Sequence, residues 1–391
     1  MASRRLRNSG LVAEYYRNRS TDILHANYSR SRTPASFNLK LSRLLGQTLY
    51  TGNASGLSSL QLNIPHGILF INGKMICTDT ANNRILIWNK IPARNFIEPN
   101  IVLGQPDFNT NGWYSASSST LNNPYSNCAS DGTFLAISDS CNNRVLIWNQ
   151  IPTQNNAPAD IVLGQANFSS AGDNRGGAVA ANTLSYPCHL CTANGKLIVA
   201  DLANRRILIW NSLPTANGQA ADVVLGQWDF NSNVWSTAQN LTTNIEGVAT
   251  DGQKLIAADK GNNRVLIWNT IPTSNAANAD VVIGQSSFSA NSSGASASQL
   301  YGPTTASIHN GRMFIGDRGN HRILRFNTIP AVNGASADKV YGQSNFSAAS
   351  ANAGGTTFES GFNEPSSVVM TDYGLFVCDK FNNRIIGYLT D

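Results

Sequence analysis

The sequence predicts an all-β fold, a six-bladed β-propeller of four-stranded blades, and three observations carry that prediction. The string NNRVLIWN, or a close variant, ends at Asn89, Asn149, Asn211, Asn269 and Asn327 and degrades to NNRIIGYLT near the C-terminus. Its arginines Arg84, Arg144, Arg206, Arg264, Arg322 and Arg384 therefore recur every 58–62 residues. A second marker, VLGQ or similar, places Gly46, Gly104, Gly164, Gly226, Gly284 and Gly342 at the same period. Between markers the chain offers four short strand-like runs and no sustained helical periodicity, which describes a propeller blade rather than a helical solenoid.

Each element of the unit has a local reason. In the second unit NPYSNCAS, GTFLAISD, RVLIWN and ADIVLGQ read as successive strands. The short Asp139–Asn143 turn joins the middle two, and its Asp and Asn residues suit a tight hairpin. In RVLIWN, Leu146 and Trp148 point one way while Val145 and Ile147 point the other. Both faces are apolar, as a blade packed between two neighbours requires. The series Trp88, Trp148, Trp210 and Trp268 belongs to the same inter-blade core. The last unit stops after its third strand at Asp391, and an orphan LKLSRLLGQ precedes the first unit. Residues 39–47 are therefore expected to complete the blade formed by 362–391, leaving no open ring edge. The domain reading is a basic arm, 1–37, followed by a propeller, 38–391.

Charged residues make up 13% of the chain, and the remaining polarity is mostly Asn, Ser, Thr and Gly, which suits strands and turns. The net charge of +5 is unevenly spread, with nine basic and two acidic side chains in the first 47 residues. A basic arm thus leads a nearly neutral body. A chain of 391 residues buries enough core to need no disulfide or metal staple. Cys188 and Cys191 form a CxxC on a strand, where residues three apart face opposite ways, so free thiols are expected and neither a metal nor another cofactor is. The N-terminus has no apolar run of about 7–15 residues, and no stretch of about 20 apolar residues offers a membrane span. The chain reads as cytoplasmic or as part of a larger particle.

The units resemble the NHL repeat (P-x-G-V…LYVAD…NNRV), most closely its Asn/Ser-rich bacterial form carrying LIWN-IP-T-N-x-AD-VLGQ-x-F, over residues 39–391. The resemblance implies a six-bladed propeller and, because such bacterial relatives usually look secreted, leaves an extracellular place open. The family includes the peptide-amidating lyase, and related six-bladed propellers include lactonases, with several inward His or carboxylate ligands around a metal. Only five His occur here, so the match to an enzymatic subgroup is poor. Some NHL domains of animal regulators bind RNA on a basic face.

What repeats in every unit serves the blade. Asp79, Asp139, Asp201, Asp259, Asp317 and Asp379 precede the hairpin, each with an Arg five residues later. The Asp is expected to cap backbone N–H groups of the turn while the Arg brackets the hairpin. Function is sought where blades disagree. The channel-lining position on the first strand reads His66, Tyr125, Cys188, Glu246, Thr304 and Ser366. Of these, His66, Cys188 and Glu246 are possible metal or acid–base groups, with His66 and Glu246 the catalytic candidates. Blade five carries His321, Arg325 and Phe326 in place of Asn, Ile and Trp, and Gly387 is expected to make room for Arg325.

The connections from fourth to first strand, Pro106–Asn123, Ala166–Tyr186, Trp228–Asn244 and Ser344–Glu364, are long and rich in Ser, Asn and Gly. They carry Trp113, Tyr114, Trp228 and Trp235, which with Tyr125 would suit a protein or glycan surface. In the arm, SGLVAEYYRNR suits a short helix with Ser9 as N-cap. Its surroundings offer Arg4, Arg5, Arg7, Tyr15, Tyr16, Arg17, Arg19, Arg30 and Arg32 to an acidic partner, a nucleic acid or another subunit. The leading expectation is a non-enzymatic binding or assembly protein. The alternatives are a lyase or hydrolase with a channel-mouth site and, third, nucleic-acid binding through the arm.

Overall fold

Residues 40–355 and 361–389 are described by the computed structural model, and all of them belong to one compact unit, Leu39–Asp391. Strand β1 (Lys40–Leu45) comes first, and blade one follows as β2 (Pro65–Ile71), β3 (Lys74–Asp79), β4 (Arg84–Trp88) and β5 (Ile101–Leu103), all antiparallel. Five four-stranded sheets and one three-stranded sheet form the six-bladed ring, with first strands innermost. As expected, β1 closes it, pairing antiparallel with Arg384–Leu389 from Lys40 opposite Leu389 to Leu45 opposite Ile385.

Blade two departs from the expected four strands. Its segment NPYSNCAS forms only an isolated bridge, Ala129 with Ala136. The chain turns left-handed at Ser126 (φ 70°), and the Asn127 side chain accepts the Ile68 N–H of blade one at 2.6 Å. The Asn127 side chain thus reaches across to the neighbouring blade while its own blade keeps a single bridge.

The apolar alternation of the third strands builds cores between blades. One cluster joins Ile76, Ile85 and Leu103 of blade one to Leu135, Leu146 and Trp148 of blade two; another joins Ile198, Ile207 and Leu225 of blade three to Leu255, Leu266 and Trp268 of blade four. Each Trp also donates its indole N–H to a backbone carbonyl nine residues on, as Trp148 does to Ala157 at 2.9 Å. Outer strands are short, and their edges are capped by the following loop: the side-chain Oδ1 of Asn155 accepts the Val102 N–H at 3.1 Å, and the side chains of Asn217, Asn275 and Asn333 do the same for Val162, Val224 and Val282. An edge N–H that is already bonded is no template for another chain.

The repeated Asp and Arg form a buried ion pair in every blade, 2.7–2.9 Å between Asp Oδ2 and Arg Nε. Here the expected capping role is corrected. A single 3₁₀ turn, Ser140–Asn142, joins the strands, and Asp139 accepts no backbone N–H from it. Its Oδ1 instead takes the Asn122 N–H at 2.6 Å, just before the first strand, while Oδ2 takes Asn142 Nδ2 and Arg144 Nε. Arg144 then donates to the carbonyls of Phe168, Ser117 and Thr120, pinning the loops on either side. Burial pushes the Asp139 carboxyl above its ordinary range, and Arg144 and the N–H donors pull back against that. The marker Gln works alongside: Gln165 Nε2 donates to Asn143 O at 3.0 Å and Gly172 O at 2.8 Å. The repeats are thus a hub of buried polar bonds fixing the loops over one end of the ring.

Blade five carries its own contacts. Arg325 Nη1 donates to the Tyr341 hydroxyl of its own outer strand at 3.2 Å. At Gly387 an added Cβ would lie 2.8 Å from the Phe376 ring and 3.2 Å from Arg43 Cβ. His321 takes over the role of the Asn it replaces, its Nδ1 accepting the Glu364 N–H at 3.0 Å.

Candidate functional site

One end of the central channel gathers the starts of the first strands, the 3₁₀ turns and the long connections, since Pro65 pairs with Asp79 and Asp79 with Arg84. At this mouth the six blades disagree. His66 is buried and its ring lies 3.8 Å, centroid to centroid, from Tyr125, which in turn meets Tyr186 edge-on at 5.7 Å. Glu246 is buried and bound by Lys260 Nζ at 2.5 Å, with Arg318 at 3.8 Å; Arg318 pairs with Glu364 at 2.5 Å. Cys188 turns its Sγ toward the Ile245 carbonyl at 3.2 Å, while Thr304 and Ser366 donate to the Pro365 and Pro65 carbonyls. The mouth therefore has an aromatic side from blades one to three and an ionic side from blades four to six.

The cations on the ionic side all come from one position, the residue after the repeated Asp: Lys260, Arg318 and Lys380. In blades one to three that position holds Thr80, Ser140 and Leu202. The two hydroxyls donate to the Pro124 and Pro187 carbonyls of the next blade at 2.7 and 2.5 Å. Burial holds the His66 imidazole well below its usual range, helped by Lys380, Arg318 and Lys260, so it is neutral near pH 7. Burial also lowers the Lys380 ammonium to about 8, with Arg318 adding to the effect and Glu364 and Glu246 opposing it.

The two acid–base candidates share the mouth but not a bond. Among the described residues no hydrogen bond joins His66 to Glu246: the first stacks on Tyr125 and the second is held in ion pairs. Nor, among those residues, do three or more His, Cys, Asp or Glu gather closely enough to hold a metal ion.

Of the loop aromatics, Trp113 is 77% exposed, Trp235 61%, Trp228 55% and Tyr114 42%. Trp235 lies under the Arg205 guanidinium at 4.5 Å, and the Tyr114 ring folds over Gly112. Tyr125 stands apart from them, half-buried inside the mouth. Tyr301 and Phe381 are further exposed aromatics on this end of the ring. Arg4, Arg5, Arg7, Tyr15, Tyr16, Arg17, Arg19, Arg30 and Arg32, and the helix expected around Ser9, lie outside the described residues. The opposite end of the channel opens into a cavity of about 490 Å³ lined by Phe70, Val248, Met370 and His189. No described helix is long and apolar enough to cross a membrane.

No family model matches this chain, and no curated protein matches it. Solved structures do. A structural-genomics protein of unknown function from Bacteroides thetaiotaomicron VPI-5482 is 12% identical, with 91% of this chain and 76% of that one covered and a TM-score of 0.54. The WD40 β-propeller domain of Doa1 is 10% identical, with 90% and 97% covered and a TM-score of 0.48. The PQQ-bound aldose sugar dehydrogenase from Streptomyces coelicolor is 13% identical, with 92% and 100% covered and a TM-score of 0.47. The first likeness is one of fold; the two lower scores add nothing to it. The chain is a six-bladed β-propeller.

Proposed function

We propose that this propeller belongs to the NHL-repeat type and is a non-enzymatic recognition scaffold, whose loop-rich end meets a protein or glycan while the basic arm docks it into a larger assembly. The observation that carries the reading is the exposure of Trp113, Trp228 and Trp235 on loops otherwise pinned by Arg84 at Phe108 O and by Arg206 at Phe230 O. Large apolar rings on rigid loops favour a partner surface, because little order is lost when they are covered. These tryptophans come from the connections after blades one and three, with another connection between them, which fits an extended surface better than a single small ligand. The native mass of the full-length protein isolated from its source tests this. A particle larger than 41.9 kDa that shrinks on Trp113→Ala plus Trp235→Ala supports the reading; a free monomer in both overturns it. Deleting residues 1–37 tests the arm separately, and docking is lost if the arm carries it. A steep loss of affinity with salt is the signature if that partner is a nucleic acid.

The enzymatic alternative rests on one feature, a neutral imidazole at His66 beside the channel mouth. Glu246 argues against it, since a carboxylate held by Lys260 and Arg318 is a poor proton shuttle. An activity abolished in His66→Ala would restore it.

A further inference from the structure

We propose that the ionic side of the channel mouth is a binding site for a compact anionic group, a carboxylate, phosphate or sulfate, seated on Lys380 beside Arg318 and Lys260. This site is separate from the exposed tryptophans and does not rest on the loop-surface reading.

The argument begins with broken symmetry. At the position after the repeated Asp, blades one and two use a hydroxyl to tie each blade to the next. A cation is therefore not needed to build the blade. Yet blades four, five and six, consecutive around the ring, all place one there. Two carboxylates, Glu246 and Glu364, take up Lys260 and Arg318. Lys380 remains. The residue is only 7% exposed, and its Nζ lies 4.5 Å from the centre of the Phe381 ring. Among the described residues no ion pair reaches it. An ammonium drawn partly out of water with no ion pair of its own is costly, and a charge-assisted bond to an incoming anion removes that cost. The facing wall of His66, Tyr125 and Tyr186 offers flat apolar support to whatever carries the anion.

Binding is also tied to protonation. The groups acting on Lys380 are Arg318 and Lys260, which disfavour its charge, and Glu364 and Glu246, which favour it; His66 stands neutral nearby. The ammonium loses its proton near pH 8, and an anion bound there holds the proton on.

Calorimetric titration of the full-length protein with sodium sulfate at low ionic strength tests the site, because sulfate keeps its charge across the pH range. Saturable binding is expected, weakening as pH rises from about 7 to about 9 through the Lys380 transition. Lys380→Met should weaken it at least about tenfold, the loss expected for a charge-assisted hydrogen bond. Lys196→Met, at a lysine bonded to Asn211, should leave it unchanged. Lys380→Arg keeps binding but flattens the pH dependence, and it stands in if the Met variant fails to fold. Benzoate binding more tightly than acetate would place the aromatic wall in the site. No saturable heat, equal losses in the Lys380 and Lys196 variants, or a pH dependence retained in Lys380→Arg would overturn the proposal.

Discussion

Five of the six seams between blades are built one way and the seam between blades three and four another. At the five, a side chain at the end of one blade's turn accepts the N–H of the residue that opens the next blade: Asn383 for Ile64, Asn83 for Asn123, Asn143 for Tyr186, Asn263 for Gly302 and His321 for Glu364, at 2.7–3.0 Å. All five opening residues have positive φ, between 49° and 56°, and precede a proline. That conformation is strained for anything but glycine, and a residue before proline is restricted further. At the sixth seam Arg205 replaces the acceptor, Ile245 replaces the proline, and Asn244 is not among the residues with positive φ. The acceptor, the strained residue and the proline are therefore one device, kept or dropped together. Arg205 is released to lie over Trp235 and to donate to Asn233 O at 2.8 Å.

The largest test asks whether the two kinds of seam share one foundation. Arg144→Met and Arg206→Met each leave a buried Asp unpaired and should each cost about 3–5 kcal/mol in urea unfolding. A clear difference between them would mean that the odd seam rests on something besides the ion-pair hub.

A second test uses acid. His189, on the blade-three side of the odd seam, is buried with neither ring nitrogen bonded to the protein, and burial lowers it to about 4. Below its ordinary value of about 6.5 the unfolded chain takes up a proton that the folded chain refuses. Its contribution is thus present above that value and lost as pH falls toward 4, amounting to about 3 kcal/mol. His189→Gln should flatten the stability curve over that window; an unchanged slope assigns the acid lability elsewhere.

The smallest effects sharpen the comparison itself. Asn143→Ala leaves the Tyr186 N–H unpaired in a left-handed residue and should cost about 1–2 kcal/mol. Arg205→Ala should cost no more than about 0.5 kcal/mol. Ile245→Pro alone should destabilise, while Arg205→Asn with Ile245→Pro should recover about 1 kcal/mol of coupling in a double-mutant cycle. Additive costs would show that the three positions do not act together.

The ring, its blades and its closure were legible because each marker recurs and each recurrence has a bond to make: Asp and Arg form the ion pair, Gln ties the loop, Trp packs the seam. Departures were harder. Nothing local in NPYSNCAS announces that Asn127 would bond blade one, since its partner is 59 residues away. That an added Cβ at Gly387 would press on Phe376 and Arg43 is likewise a packing fact invisible along the chain. The mouth was half legible. Following the first strand finds His66, Tyr125 and Glu246, but the cations that hold Glu246 sit on the turns between the second and third strands. The signal for them was present, a single position reading Thr, Ser, Leu, Lys, Arg, Lys around the ring.

The pairing of β1 with Arg384–Leu389 sets an order on how the protein is made. Lys40 leaves the ribosome well before its partner Leu389. At about 5–20 residues per second, that first strand waits on the order of half a minute for the strand it pairs with. Until then blades one to five stand as an open stack with an uncovered side at each end. The ring is thus a latch that shuts only once Arg384–Leu389 has been made, and a product truncated before that strand would keep a free first strand and an exposed flank.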